Sequence, residues 1–264
     1  MGGCDSKPRG RRQKMRKRVR QLLKMICVIS LVLASVSAAI AQESVVEGYE
    51  KNKKYQYVLM GVYPQAEDGS VEPILWRVLA ANETEAFLLS EYVLFNHRIH
   101  EDAEAYANFG GQFNRTEIFG ILNGNFLEEA FSPVEREQLI TSEELGTVFL
   151  VSSDELGMWE LGFHNKTGRM AYGTPYALKN GLFRYGKEGK GSSPYWTRSQ
   201  STGQADGVRC TKVDGSMGYI RCIVMDEGIR PAVRLSLTDG VIEFATGEGS
   251  RENPYRVERE ALNR

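Results

Sequence analysis

The order of its periodicities limits what this chain can fold into: strand-like runs lie at both ends of the main body and helix-like ones in the middle. Residues 55–63 (YQYVLMGVY) read as a strand stopped by Pro64 and the loop at 66–70. Residues 74–79 and 86–90 follow as short β-rich runs with Asn82 as turn material between them, spaced as in a meander. The middle changes period. Residues 116–129 place Ile118, Phe119, Leu122, Phe126 and Leu127 on one side, which predicts a helix. Ser132-Pro133-Val134-Glu135 is a capping box with proline at the first helical position, so a second helix starts there. Residues 148–151 read as a buried strand, and Ser152 with Glu155 repeats the capping pattern before another short helix. Thr174-Pro175 opens one more helix and Asn180-Gly181 closes it. Residues 195–199, 207–213, 219–225 and 232–237 then return to strands. Strands, helices, strands is an α+β pattern with a largely antiparallel sheet; a parallel doubly wound sheet would need regular strand–helix alternation.

Charge separates the N-terminal segment from this body. Residues 1–41 hold ten basic side chains and one acid, Asp5, whereas the remaining 223 residues hold 23 basic and 33 acidic groups. The net charge of −1 therefore sums a segment at +9 with a body at −10. After the basic stretch comes an uncharged run, MICVISLVLASVSAAIA, ending in Ala39-Ile40-Ala41. Basic, then apolar, then small is the order of a secretory signal peptide, here predicted over 1–41 with cleavage before Gln42; Met15 is a possible true start. An uncleaved anchor is the competing reading, against which the run is short for a span and holds three serines. Met1-Gly2…Ser6 also fits a myristoylation pattern, which a signal peptide behind it overrides. Export is thus the expected localisation (periplasm, cell surface or outside), and any membrane contact runs through this segment if it is retained. The acidic body argues against nucleic acid as a partner. Residues 42–54 are a polar lead-in, residues 55–237 one domain, and residues 238–264 an extension that packs on the domain or trails from it.

Only Cys210 and Cys222 remain after signal removal. A hairpin centred on Ser216 would set them directly opposite, near disulfide range, and oxidising export favours the bond. A two-residue Asp214-Gly215 turn would instead oppose Cys210 with Tyr219 and leave the thiols apart.

Several motifs approach a known chemistry and miss it. Gly181 to Lys187 (GLFRYGK) nearly spells a phosphate-binding loop, but Glu188 stands where Ser or Thr would hold Mg²⁺, and no apolar strand leads in. His97 and His100 could share a helical face, yet a metal needs three or four convergent ligands and His164 lies far off in a loop-like stretch. No G-x-S-x-G occurs, and neither cysteine has a histidine local to it. Asn82, Asn114 and Asn165 match glycosylation acceptors, relevant only to a eukaryotic secretory route. The acids at Glu101, Asp102 and Glu104 read as a solvated face. No catalytic residue, metal site or cofactor is therefore expected.

Four segments make an ordered set: Tyr57-Val-Leu-Met-Gly-Val-Tyr-Pro-Gln65, Ile74-Leu-Trp-Arg-Val-Leu79, Tyr195-Trp-Thr-Arg-Ser199 and Gly228-Ile-Arg-Pro-Ala-Val233. With the Asp214-Gly215-Ser216 hairpin they resemble an uncharacterised family of bacterial secreted domains carrying YWxRS and G[VI]RPA strands. That family is similar in turn to the C-type-lectin-like fold shared with formylglycine-generating enzymes. The resemblance implies a small mixed, mostly antiparallel sheet with flanking short helices and a long loop region presenting a ligand surface. The chain departs from both chemistries of that fold. The E-P-N, Q-P-D and W-N-D signatures of calcium-dependent sugar binding are absent, and the two cysteines are twelve residues apart on strands where the oxidase places a close copper-binding pair.

Aromatic and arginine side chains are over-represented where proteins bind partners, and Trp196, Arg198, Arg209, Tyr219 and Arg230 crowd the terminal strands as candidates. The competing reading puts Trp196 in the core and has Arg230 fixing its strand through carbonyls or a buried acid. The function expected is an exported, non-catalytic binding module for a glycan or for an envelope or host protein. A formylglycine-generating-type oxidase (or a degenerate relative) and a structural envelope protein are the alternatives.

Overall fold

The computed structural model describes residues 55–185, 191–237 and 243–258. Within them the chain is α+β, with mostly antiparallel sheets and a few short helices. The signal peptide predicted over 1–41 and the lead-in predicted over 42–54 lie outside the described residues. No helix among the described residues is long and apolar enough to cross a membrane.

The larger sheet runs β11 (Glu243–Thr246), β12 (Tyr255–Glu258), β1 (Gln56–Pro64), β2 (Val71–Ala81), β3 (Glu85–Ser90), β10 (Pro231–Ser236), β5 (Val148–Leu150). Within the extension, β12 lies parallel to β1 and adds an edge to this sheet. The smaller sheet runs β4 (Phe95–Asn96), β9 (Gly228–Ile229), β6 (Tyr195–Gln200), β7 (Gly207–Thr211), β8 (Met217–Arg221). The two sheets meet where the Arg198 amide donates to the Val151 carbonyl at 3.0 Å.

Most strand readings hold because each run has an apolar face to bury, but the runs expected over 207–213 and 219–225 pair only as Gly207–Thr211 and Met217–Arg221, with 222–225 outside the strand. Trp76 of β2 is wholly covered, stacks on Phe131 with ring centroids 5.9 Å apart, and donates its indole N–H to the Met60 carbonyl at 2.7 Å. Opposite it β1 bulges between Leu59 and Val62. Gly61 sits there at φ 66°, where a Cβ would come within 2.7 Å of the Ala130 carbonyl oxygen. The amide freed by the bulge donates to Glu135 Oε1 at 2.9 Å. Glu135 is the acid of the capping box, so it closes the N-terminus of α4 (Pro133–Glu137) and also anchors a strand 74 residues earlier.

Three expectations need correction. The helix over 116–129 is broken: α2 (Glu117–Ile121) passes into a π turn, Leu122–Phe126, with Gly124 out of helical geometry, before α3 (Leu127–Ala130). The break frees Asn123, whose amide takes N–H groups of Thr147 and Val148 on Oδ1 and gives its own to the Phe119 and Val148 carbonyls. It thus acts as a one-residue strand along the outer edge of β5. Second, a helix not expected here forms: Asp102 caps α1 (Ala103–Asn108) by accepting from the Glu104 and Ala105 amides, while Glu101, Asp102 and Glu104 stay exposed as a solvated face does. Third, the β7–β8 hairpin is centred on Asp214, two residues before the expected Ser216: Thr211 faces Met217 and Cys210 faces Gly218. Gly215 takes φ 76° in a three-residue loop closed by the Lys212 amide on the Ser216 carbonyl. That register separates the cysteines, and the disulfide is not formed; both are free and buried.

Candidate functional site

The five candidates do not converge. Trp196 is wholly buried in β6, its indole N–H on the His97 carbonyl at 2.8 Å, so it is a core residue. Arg198 grips Glu155 with both guanidinium nitrogens, at 2.7 and 2.9 Å, and gives a third bond to the Leu150 carbonyl at 2.7 Å. Burial pushes the Glu155 carboxyl up, but the bond and charge of Arg198 outweigh it and hold the group below its ordinary range. The same carboxylate accepts the Ser152 amide, which completes the second capping box and fixes the turn Glu155–Gly157. Arg198 therefore clamps a loop. Arg209 and Tyr219 face each other across β7 and β8, with Tyr219 half exposed, on an open strand surface.

Arg230 is fully covered. Its Nε donates to the Ser90 carbonyl at 2.7 Å, one Nη reaches the Tyr195 hydroxyl at 3.3 Å, and the other stands 3.9 Å from Glu91. Glu91 is shared: Arg77 bonds it at 2.7 and 2.8 Å, and Arg251, from the segment leading into β12, approaches its other oxygen at 3.4 Å. Arg230 is thus one member of a buried clamp joining β2, β10 and the segment before β12 to the end of β3. Arginine cannot shed its charge, so such a clamp needs its carboxylate.

Burial pushes the Cys210 thiol up to about 12, helped by the nearby Glu227 charge, and the Cys222 thiol up to about 11. A nucleophilic or metal-binding cysteine needs the opposite shift, toward thiolate. Glu227 is itself raised to about 7, by burial first and then by Asp226, and its Oε2 has no hydrogen-bond partner among the described residues. His97 and His100 serve structure: His97 Nε2 stands 3.8 Å from Glu117, and His100 Nδ1 accepts the Glu117 amide at 3.1 Å. No cluster of three or more His, Cys, Asp or Glu able to hold a metal occurs among the described residues.

A cleft of about 340 Å³ opens elsewhere, between the ends of β2, β3 and β10 and the loop 155–161. Phe87, Ala80 and Ala81 line the sheet side, and Met158 and Leu161 form the opposing wall. The polar lining comes from Asn82, Glu85, Glu155 and Arg234. Arg234 faces Phe87 in the β10–β3 register, lies 4.8 Å over its ring, and donates to Glu85 Oε1 at 2.9 Å, with both side chains about one-third exposed. Arg198 bears on this site indirectly, because the Glu155 it holds starts the loop carrying Met158 and Leu161. Sequence reasoning passed over Arg234, Glu85 and Phe87. The one signal was a lone arginine in the apolar strand PAVRLS and a lone acid opening EAFLLS, and only the strand register turns those two into a pair.

Residues 83–237, more than half of the chain, match the family described as Domain of unknown function (DUF6273), and the chain belongs to that family. No curated protein and no solved structure matches the chain. The matched span takes in the Glu85, Phe87, Glu155 and Arg234 side of the cleft, together with both buried cysteines.

Proposed function

We propose that the chain is an exported, non-catalytic binding module of C-type-lectin-like fold that recognises a glycan or a protein of the envelope or of a host. The observation that carries the reading is the cleft: an apolar bed with a few convergent polar groups, placed at the ends of rigid strands. Support for the lectin-like fold comes from the mostly antiparallel sheets, the short helices and the loop-rich stretch between β3 and β6. A glycan is the better fit, since a cleft of about 340 Å³ suits a small polar ligand and a stable protein interface needs roughly 800 Å² from each partner. The signal-like segment and acidic body support an extracytoplasmic site of action. The oxidase alternative draws no support from two thiols held protonated by burial.

A glycan array and an envelope pull-down, each run with the full chain and with Arg234→Gln, test the proposal. Binding that weakens in the variant supports it. Blank results at high protein concentration in both formats overturn it.

A further inference from the structure

Resting on the glycan reading, we infer that the cleft is built for an uncharged sugar bearing an acetamido group. The argument starts from charge. Both acids of the lining already hold a guanidinium: Glu85 takes Arg234 at 2.9 Å and Glu155 takes Arg198 at 2.7 Å. The lining is therefore neutral, and a charged ligand would find no unmatched opposite charge while facing one of like sign.

The unused hydrogen-bonding capacity is specific. Arg234 commits one Nη to Glu85 Oε1, and its Nε and other Nη have no partner among the described residues. Glu85 likewise keeps Oε2 unengaged among the described residues. Asn82 Oδ1 accepts from the Thr84 amide, the Thr84 hydroxyl and the Glu85 amide, which leaves its Nδ2 donors over. An arginine–glutamate pair so placed presents a donor and an acceptor side by side, the complement of a secondary amide, whose carbonyl accepts and whose N–H donates.

Apolar contacts narrow the choice. Arg234 covers the Phe87 ring at 4.8 Å and the ring is almost wholly buried, so a pyranose cannot stack on that face. What remains for the ligand are methyl-sized surfaces: Ala80 and Ala81 on one side, and Met158 and Leu161 on the other. A plain hexose offers hydroxyls that would meet these surfaces unpaired, whereas an acetamido methyl fills them. A peptide shares the amide, but an extended backbone needs a strand edge or long groove, and this cleft lies at strand ends.

The test is calorimetric titration of the full chain with four probes: a β-linked N-acetylglucosamine disaccharide, its de-N-acetylated form, a glucose disaccharide, and an N-acetyl dipeptide amide. The expected result is that the acetylated disaccharide binds at least about tenfold tighter than the other three, because a site that hydrogen-bonds a group rejects analogues lacking it. Glu85→Gln should erase that preference. Met158→Ala, at a half-exposed position, should weaken the acetylated sugar alone. Equal binding of acetylated and unacetylated sugars overturns the inference and leaves the glycan reading standing. Binding of the dipeptide alone overturns the inference in favour of a protein partner. No binding of any probe, with the glycan array also blank, overturns both.

Discussion

Glu227 gives the sharpest energetic prediction. Its carboxyl is buried just before β9, Oε2 has no hydrogen-bond partner among the described residues, and burial together with Asp226 raises it from 4.5 to about 7. Between those two values the folded chain holds a proton that the unfolded chain has released. Stability contributed by the neutral acid is therefore fully present below about pH 4.5 and is lost as pH rises through about 7. At 1.36 kcal/mol per pKa unit the loss is about 3 kcal/mol once pH reaches 8. Glu227→Gln keeps the shape and removes the titration. Urea unfolding at 25 °C should show the variant and the parent nearly equal at pH 4, and the variant more stable by about 3 kcal/mol at pH 8, with m unchanged. The Cys210 thiol feels the Glu227 charge, but at about 12 it stays protonated at both pH 4 and pH 8, so the difference of differences isolates this carboxyl. A stability gap that is the same at pH 4 and pH 8 would refute the reasoning.

Arg198→Ala should cost about 3 kcal/mol by leaving Glu155 charged and largely covered without its partner, and a double-mutant cycle with Glu155→Ala in urea should return a coupling above about 1 kcal/mol. The same variant should weaken whatever the cleft binds, through a loosened 155–161 wall, in the titration described above. Gly146→Ala should cost about 2–4 kcal/mol, because φ is 73° and the new Cβ would lie 2.5 Å from the Asn123 amide that edges β5; thermal unfolding reads the loss. In a Cys4→Ser/Cys27→Ser background, Cys210 and Cys222 should be nearly inert to a thiol reagent at pH 8 in the native state and both react in urea without reductant. Two thiols that stay silent in urea until reduced would contradict the free state.

The local part of this fold was legible. Both capping boxes, Ser132 with Glu135 and Ser152 with Glu155, form as their spacing predicts, because the two groups lie within one helical turn and need no tertiary information. The second duty of each acid was hidden: Glu135 reaches Gly61 and Glu155 reaches Arg198, contacts 74 and 43 residues away that depend on how strands pack. The hairpin shows the same limit at short range. Whether Asp214-Gly215 makes a turn of two, three or five residues moves Cys210 from Tyr219 to Gly218 to Cys222, and what separates those cases is the left-handed glycine in a three-residue loop.

For the site, density of arginines proved a poorer guide than the state of their hydrogen bonds. The acidic body has few basic residues, and the two on the terminal strands with the most protein contacts, Arg198 and Arg230, are held by Glu155 and by Ser90, Tyr195 and Glu91. Arg198 spends three bonds on clamping its loop, while Arg230, one Nη of which has no hydrogen-bond partner among the described residues, is fully covered and out of a ligand's reach. Arg209 beside Tyr219 has capacity left but stands on an open strand face, where water competes for every bond. Arg234 combines the two conditions a recognition residue needs: donors still unmatched, and a concave surface that keeps part of the solvent away. Its place in PAVRLS, one residue after the buried Val233 and two before the strand ends, is what tips it from the core toward the cleft mouth. A shift of the β10–β3 register by one residue would turn that guanidinium to the other face and close the site, so the register that buries Ala232 and Val233 against Leu89 and Leu88 is also what makes binding there possible.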